Sequence, residues 1–213
     1  MIKLAVFDFD GTIADSVDFC LYAFERTFEK FMDKIPQRED IYQCFGMNEP
    51  GVIRHFIGRE CPEAEEYFYK IHREMHPEKC PDCLPGVREL LDYIKSKNIR
   101  MALLTGRSET TAQISMECLN IGDYFSDFLY GSPAKTDKTP QMLSLLEKYN
   151  LQCDEMVYIG DAVSDVQSSQ RANVRCLTAA WAKTARIGEL EKINPGLVFR
   201  TVGEMRDFLE KNG

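Results

Sequence analysis

The chain has 213 residues, of which 44% are hydrophobic, and its 26 basic and 34 acidic residues give a formal net charge of −8. A chain of this length can bury a sizeable core, so the composition predicts one domain with an insertion or two small domains. The acidic balance argues against a nucleic-acid partner, because nucleic-acid backbones are held chiefly by Lys and Arg, but a small anionic ligand can bind where a metal or local cations reverse the field.

The N-terminal segment predicts neither a signal peptide nor a membrane anchor. Acidic side chains occur within the first ten residues, and the apolar stretch at residues 2–7 is too short for either. The eight cysteines are scattered through mostly apolar segments, and a core of this size needs no disulfide framework. We therefore expect a soluble cytoplasmic protein with no membrane partner and with mainly reduced, buried cysteines.

The first predicted element is a buried strand at residues 2–7, and helical segments follow it. Apolar side chains recur at helical spacing over residues 15–32. Further helices are predicted at residues 37–45 and 50–57, each ended by a glycine, and at residues 62–75, where a proline occupies the first position. The aromatic residues of this region are more typical of a helix-bundle core than of a cofactor site.

From residue 85 onward the pattern alternates between helix and strand. Helices are predicted at residues 87–98, 109–119, 139–149, 165–172 and 204–209, and strands at residues 101–104, 128–130, 156–159, 174–177 and 197–199. Such alternation is typical of a parallel sheet with helices on both faces. The predicted fold is α/β, with a doubly wound, Rossmann-like core at residues 1–14 and 84–213. A small all-helical cap domain, at residues 15–83, is inserted after the first strand.

Two carboxylates follow the first strand, in the segment Asp8-Phe9-Asp10-Gly11-Thr12. Ligands of a doubly wound sheet collect beyond the carboxyl ends of its strands, and carboxylates at positions i and i+2 can both reach one metal ion. Asp8 could then bond to phosphorus as a nucleophile while Asp10 transfers protons. The alternative is an Asx turn that merely ends the strand.

The second core strand ends in Thr105-Gly106-Arg107. The hydroxyl and the glycine are suited to hydrogen-bonding a phosphate oxygen near a helix N-terminus. Thr-Gly is also ordinary turn chemistry, so this motif carries weight only together with the others.

Two later loops offer two lysines and two acids. Lys135 and Lys138 precede the helix at residues 139–149, where a lysine could neutralise a phosphoryl oxygen and keep Asp8 ionised, or else remain on the surface. Asp161 follows the strand at residues 156–159 and is placed to bind a hard cation. Asp165 could share that metal, orient Lys138, or simply cap the helix that begins there.

The segment His72, His76, Cys80 and Cys83 has the spacing H-x3-H-x3-C-x2-C, which could present four zinc ligands. Prolines interrupt this segment where the helix is predicted to end, and no second cysteine pair follows. The pattern therefore favours a structural role over a zinc or redox site.

Taken in order, DFDGT, LLTGR, Lys138 and IGDxxxD resemble the motif set of the haloacid dehalogenase superfamily, across essentially the whole chain. The helical insertion resembles the cap of its phosphoglycolate phosphatase and β-phosphoglucomutase relatives. The resemblance implies Asp8 as nucleophile, Asp10 as acid and base, and Thr105 and Lys138 as phosphate binders. It also implies Asp161 as a Mg²⁺ ligand, together with Asp8 and the Asp10 carbonyl.

The lysine motif departs from the family pattern, because many relatives have proline directly after lysine, whereas here Thr139 separates Lys138 from Pro140. Lys135 is therefore the alternative phosphate-binding lysine. The presence of Asp10 favours phosphate-ester chemistry, since the halide-displacing relatives lack this second acid.

The predicted activity is Mg²⁺-dependent hydrolysis of a small phosphomonoester through an aspartyl-phosphate. Gly11, Gly106 and Arg107 are predicted to help bind the phosphate, and Asp165 to join the metal ligands. Arg54, beyond the cap loop at residues 46–48, is predicted to contact the non-phosphate half of the substrate.

Other activities use the same fold. A phosphomutase would share every core residue, and a phosphonate hydrolase would use a cap lysine as a Schiff base. A catalytically silent binding module is a third alternative, against which the intact acid set argues. The sequence leaves open the substrate, a small phosphorylated metabolite, and the choice between a monomer and a weak homodimer.

Overall fold

The protein is described by a computed structural model that covers residues 1–134 and 137–212. Within these residues, six parallel strands form one sheet in the order β3-β2-β1-β4-β5-β6. The strands are β1 (Leu4–Phe7), β2 (Arg100–Leu104), β3 (Asp127–Leu129), β4 (Met156–Gly160), β5 (Arg175–Ala179) and β6 (Val198–Phe199). The predicted α/β doubly wound sheet is thus confirmed. The strand order reverses at β1, which pairs with β2 on one side and β4 on the other, and such a switch point is where these sheets bind ligands.

The predicted helices are all present, and one further helix joins them. In the described part of the chain they are α1 (Val17–Phe31), α2 (Arg38–Gln43), α3 (Glu49–Ile57), α4 (Pro62–Lys79), α5 (Val87–Ser96), α6 (Glu109–Leu119), α7 (Thr139–Tyr149), α8 (Val163–Arg171), α9 (Ile187–Ile193) and α10 (Val202–Asn212). The sequence did not predict α9, because its seven residues are too few for a clear apolar period. No described helix has the length and apolar character needed to cross a bilayer.

Apolar side chains cover both faces of the sheet. Phe7 and Leu103 belong to one buried cluster, with α5, α6 and α10. Val6 and Leu104 belong to another, with α7, α8 and α9. Neighbouring residues in a strand point to opposite faces, so a strand that is buried on both faces reads as a continuous apolar run.

The helices α1 to α4 lie between β1 and α5 in the chain, and we call residues 17–79 the helical insertion. They bury an apolar cluster of their own, in which the rings of Phe24 and Phe68 have centroids 4.5 Å apart. This cluster contains much of the aromatic stripe that the sequence assigned to a helical core.

Helix α4 continues through Pro77 to Lys79, so the predicted end near residue 75 is wrong. A proline inside a helix removes one backbone hydrogen bond. His72 and His76 are both fully buried on this last stretch and pack against Phe19, at ring-centroid distances of 4.6 and 5.7 Å. We attribute the continuation of the helix to this burial, which offsets the lost hydrogen bond.

Candidate active site

Asp8 leaves the end of β1 and enters the switch point of the sheet. Its backbone N–H donates to the Ile159 carbonyl at 2.8 Å, which continues the β1–β4 pairing by one residue. The turn that follows needs a glycine, because Gly11 has a φ of +74° and a Cβ there would lie 2.3 Å from Oδ2 of Asp161. Gly11 thus allows the chain to approach Asp161 closely.

Three carboxylates meet at this edge of the sheet. Oxygen atoms of Asp8, Asp161 and Asp165 lie within 4.8 Å of one another. Asp161 accepts a hydrogen bond from the Thr12 hydroxyl at 3.3 Å. Asp165 is 1% exposed, and its Oδ2 accepts the Ala162 N–H at 3.1 Å, so it also caps the first turn of α8.

The cluster carries more negative charge than its surroundings compensate. Burial raises the pKa of Asp8 to about 7, the neighbouring carboxylates add to the shift, and Lys138 opposes it. Burial, Asp8 and Asp165 raise the pKa of Asp161 well above its usual value. A bound divalent cation would relieve this repulsion, and carboxylate oxygens are the donors that Mg²⁺ prefers. The residues therefore fit a Mg²⁺ site.

Lys138 is the cation that faces the cluster. Its Nζ donates to Asp8 Oδ2 at 2.8 Å, to Asp165 Oδ1 at 2.9 Å and to the Tyr158 hydroxyl at 2.6 Å. Burial works against its charge, but Asp165 and Asp8 together raise the pKa of Lys138 above its usual range. The alternative lysine, Lys135, lies outside the described residues.

Tyr158 is a site residue that the sequence analysis missed. It lies in β4, is fully buried, and donates from its hydroxyl to the Leu104 carbonyl at 3.2 Å while it accepts from Lys138. The available signal was one hydroxyl in the otherwise apolar strand Met156–Gly160. A buried tyrosine needs a partner for its hydroxyl, and that requirement points to the sheet edge.

Asp10 is held by Arg107 and Ser16. The guanidinium donates to both carboxylate oxygens, at 2.6 to 3.2 Å, and the Ser16 hydroxyl donates to Oδ1 at 2.6 Å. Burial alone would raise the pKa of Asp10, but Arg107, Ser16 and Lys138 outweigh it and lower that pKa. Asp10 therefore stays ionised here.

Arg107 does not lie where a phosphate-binding residue would. Only 3% of it is exposed, and it is not among the described residues that line the active-site cavity. The buried guanidinium forms an ion pair with the Asp10 carboxylate instead of facing the cavity, so the structure gives no support to the predicted phosphate contact of Arg107. Thr105 and Gly106 do line the cavity, and the Thr105 hydroxyl accepts the Arg107 backbone N–H at 3.2 Å.

The cavity has a volume of about 570 Å³ and lies between the sheet edge and the helical insertion. From the core it is lined by Asp8, Asp10, Lys138, Asp161 and Asp165, among others. From the insertion it is lined by Val17, Glu39, Tyr42, Gln43, Phe45 and Gly46. The sequence analysis missed Glu39 and Tyr42, because nothing in a short helical pattern tells which polar residue will face another part of the chain.

The structure does not bring Arg54 to the cavity. Its side chain is 47% exposed and faces Glu60 at 3.9 Å. Arg54 is not among the described residues that line the cavity, whereas residues of α2 and of the turn that follows it are. That Arg54 contacts the substrate stays a prediction.

The start of α3 joins the insertion to the core. The Asn48 backbone N–H donates to the Ser132 carbonyl at 2.9 Å. Glu49 is 3% exposed, and its carboxylate accepts the Ser108 N–H at 2.7 Å and the Thr111 hydroxyl. Both donors lie at the beginning of α6, so Glu49 anchors the insertion on a helix N-terminus, where a negative charge is favourable.

Comparisons with known proteins agree with this geometry. The family model of the haloacid dehalogenase-like hydrolases matches residues 5–179. The "Putative pyrophosphatase PpaX" of Clostridium perfringens is 25% identical over 99% of both chains. A "Phosphorylated carbohydrates phosphatase" of Thermotoga maritima is 28% identical over 81% of this chain and 82% of its own. A crystal structure from Haemophilus somnus, described as a "predicted phosphoglycolate phosphatase", superposes with a TM-score of 0.76 at 17% identity, over 100% of this chain and 98% of that one.

Proposed function

The chain belongs to the haloacid dehalogenase-like hydrolase family, and we propose that it is a Mg²⁺-dependent phosphatase that hydrolyses a small phosphomonoester. The observation that carries the proposal is the arrangement of Asp8, with Lys138 at 2.8 Å and Asp161 and Asp165 beside it, at the floor of a cavity. The names of the relatives support a phosphatase and differ in substrate.

In the first chemical step Asp8 attacks the substrate phosphorus. A bond forms between the carboxylate oxygen and phosphorus, and the bond from phosphorus to the leaving-group oxygen breaks. Lys138 holds the Asp8 carboxylate in place and offsets the negative charge of the phosphoryl oxygens. Thr105 and Gly106, on the cavity wall, bind the phosphate. Asp10, which becomes protonated as the substrate binds, delivers that proton to the departing oxygen.

In the second step water hydrolyses the aspartyl-phosphate. Asp10 takes a proton from the attacking water, phosphate is released, and the Asp8 carboxylate is restored. Mg²⁺, held by Asp8, Asp161 and the carbonyl of Asp10, with Asp165 within reach, would supply electrostatic stabilisation of the transferring phosphoryl group. The remaining contributions come from the chain's own side chains.

The helical insertion serves as a cap over the reaction. The anchor at Asn48 and Glu49 holds it against the core, and Tyr42 and Phe45 line the cavity from the insertion. A covered cavity keeps stray water from the aspartyl-phosphate until the leaving group has departed. Substrate entry and product exit then require the insertion to move away.

The test measures phosphate release from a panel of phosphomonoesters and pyrophosphate, with and without Mg²⁺. We expect turnover that needs Mg²⁺ and that the substitution Asp8→Asn abolishes. Asp18→Asn is the matched control, since Asp18 has a side chain that is 80% exposed. A wild-type protein that releases no phosphate from any member of the panel would contradict the proposal. Formation of a bisphosphate with little free phosphate would reassign the same residues to a mutase.

A further inference from the structure

Arg107 sits in a buried network behind Asp10. Its Nε donates to Asp10 Oδ2 at 2.9 Å and to Oδ1 at 3.2 Å, and its Nη2 donates to Oδ1 at 2.6 Å. Its Nη1 is 2.7 Å from the Ser115 hydroxyl and 2.9 Å from His72 Nε2. The guanidinium carbon lies 4.6 Å from the centroid of the Phe9 ring. All three nitrogens of the guanidinium thus have partners inside the protein, and of these partners only Asp10 lines the cavity.

The partners of Arg107 restrict its movement from two parts of the chain. Ser115 belongs to α6 of the core and His72 to α4 of the insertion. An arginine can only donate, so His72 Nε2 is the acceptor in that contact and the ring is neutral. Burial and the nearby guanidinium lower the pKa of His72 well below its usual value, which is consistent with a neutral ring.

The two oxygens of Asp10 have different environments. Oδ1 accepts from Ser16, from Nη2 of Arg107 and, at longer range, from Nε. Oδ2 accepts only the Nε bond among the hydrogen bonds of the described residues. Because a carboxylate oxygen can accept about two hydrogen bonds, Oδ1 is saturated and Oδ2 has capacity left. The side chain is 23% exposed and lines the cavity.

We propose that Arg107 is a positioning residue for Asp10, which fixes the rotation of the carboxylate so that Oδ2 is the oxygen that serves the leaving group and the attacking water. The inference rests on the proposed function, in which Asp10 transfers protons. It assigns Arg107 a role in the alignment of the acid and none in holding the substrate phosphate.

The test compares an alkyl phosphate with p-nitrophenyl phosphate in the variants Arg107→Lys and Arg107→Met. Lysine keeps the positive charge but cannot form the two-nitrogen fork. For the alkyl ester, whose leaving oxygen needs a proton, we expect kcat to fall by about 10²- to 10⁴-fold, as for loss of general acid catalysis, with little change in KM. For p-nitrophenyl phosphate the phenolate leaves unprotonated, so the pre-steady-state burst of p-nitrophenolate should keep close to the wild-type rate.

Two milder variants test the inference without removing the buried arginine, whose loss could unfold the protein. Ser16→Ala removes one donor to Oδ1, and Ser115→Ala removes one acceptor of Nη1. Both should show the same contrast between the two substrates, to a smaller degree. Arg88→Lys is the matched control, because Arg88 also pairs with an aspartate, Asp82 at 2.9 Å, but does not line the cavity.

A double variant separates alignment from a general structural role. If Arg107 acts through Asp10, Arg107→Lys should add little further loss when Asp10 is already Asn. Losses that add in the double variant, an equally slowed burst, or a rise of KM for both esters would overturn the inference. A wild-type protein without activity on any ester would overturn the proposed function instead, whereas an active wild type with an unaffected Arg107→Lys variant would overturn this inference alone.

Discussion

Replacing Glu49 by alanine is expected to weaken the contact between the helical insertion and the core. The carboxylate is 3% exposed and accepts two hydrogen bonds at the first turn of α6, from the Ser108 N–H at 2.7 Å and from the Thr111 hydroxyl. The substitution removes both bonds and the negative charge at the helix N-terminus. It also leaves the two donors without this partner in a buried contact.

The magnitude follows from these contacts. A hydrogen bond to a charged group contributes about 1.5–3 kcal/mol, and a carboxylate at a helix N-terminus adds about 0.3–1 kcal/mol. The bonds share one carboxylate, so they are not additive, and alanine recovers about 1.5–2 kcal/mol of side-chain entropy that the buried glutamate loses. We expect the position in which the insertion contacts the core to lose about 1–3 kcal/mol relative to the position in which the insertion has moved away. This change raises the population of the second position by roughly one to two orders of magnitude.

Hydrogen exchange at the Ser108 amide, followed by mass spectrometry or NMR, measures this change directly. Exchange should accelerate in Glu49→Ala, and kcat/KM for the phosphate ester should fall as the cavity spends less time covered. Glu109→Ala is the control, since Glu109 is an exposed acid in the first turn of the same helix. Unchanged exchange at Ser108 in Glu49→Ala, or an equal effect of Glu109→Ala, would refute the anchor.

Mg²⁺ should raise the thermal unfolding temperature of the wild type, because a ligand that binds only the folded state stabilises it. Asp161→Asn should lose this effect, and an equal temperature shift in the variant would exclude the acid cluster as the Mg²⁺ site. In metal-free buffer the pKa of Asp8 is raised from 3.8 to about 7 in the folded protein. This shift stabilises the folded state fully below pH 3.8, and the stabilisation is lost as pH rises through about 7. Urea unfolding of Asp8→Asn should therefore show a gain over wild type that grows from about pH 4 to about pH 7, and a constant difference would contradict the shift. Glu39→Gln should raise kcat/KM for phosphoglycolate relative to kcat/KM for a neutral sugar phosphate. The leaving group of phosphoglycolate carries a carboxylate, and Glu39 lines the cavity from the insertion, so the substitution removes a repulsion between like charges. An unchanged ratio of the two kcat/KM values would place the leaving group elsewhere.

The sequence predicted best what depends on neighbouring residues in the chain. Parallel strands end at one edge of the sheet, so Asp8, Thr105 and Asp161 had to meet once each was placed after an apolar strand. Helices α6 and α7 begin and end at the predicted residues, and Thr139-Pro140 marks the start of α7 in the sequence. The fold class and the family followed from these local patterns.

What the sequence could not supply was the partner of each long side chain. Arg107 stands beside Thr105 and Gly106 in the chain, which suggested a phosphate ligand, but its position depends on His72 and Ser115 in two separate helices. Arg54 shows the opposite case, a cation that tertiary packing leaves in solvent beside Glu60. The position of such a side chain depends on contacts with residues distant in sequence, and helical and strand periodicity does not predict these contacts.

The two acids of the first motif illustrate the same dependence, since their environments differ although they are two residues apart. Burial raises the pKa of Asp8, and the neighbouring carboxylates add to the shift, whereas a cation bound there would favour its ionised, nucleophilic form. Asp10 lies against Arg107, which lowers its pKa, and an ionised carboxylate suits the base of the second step better than the acid of the first. Protonation of Asp10 must therefore accompany substrate binding, when the incoming phosphate changes the local charge. With an alkyl leaving group, the first chemical step should limit the rate, because the departing oxygen needs the proton of Asp10. p-Nitrophenolate leaves without that proton, so the burst experiment on Arg107 also reports which step Asp10 controls.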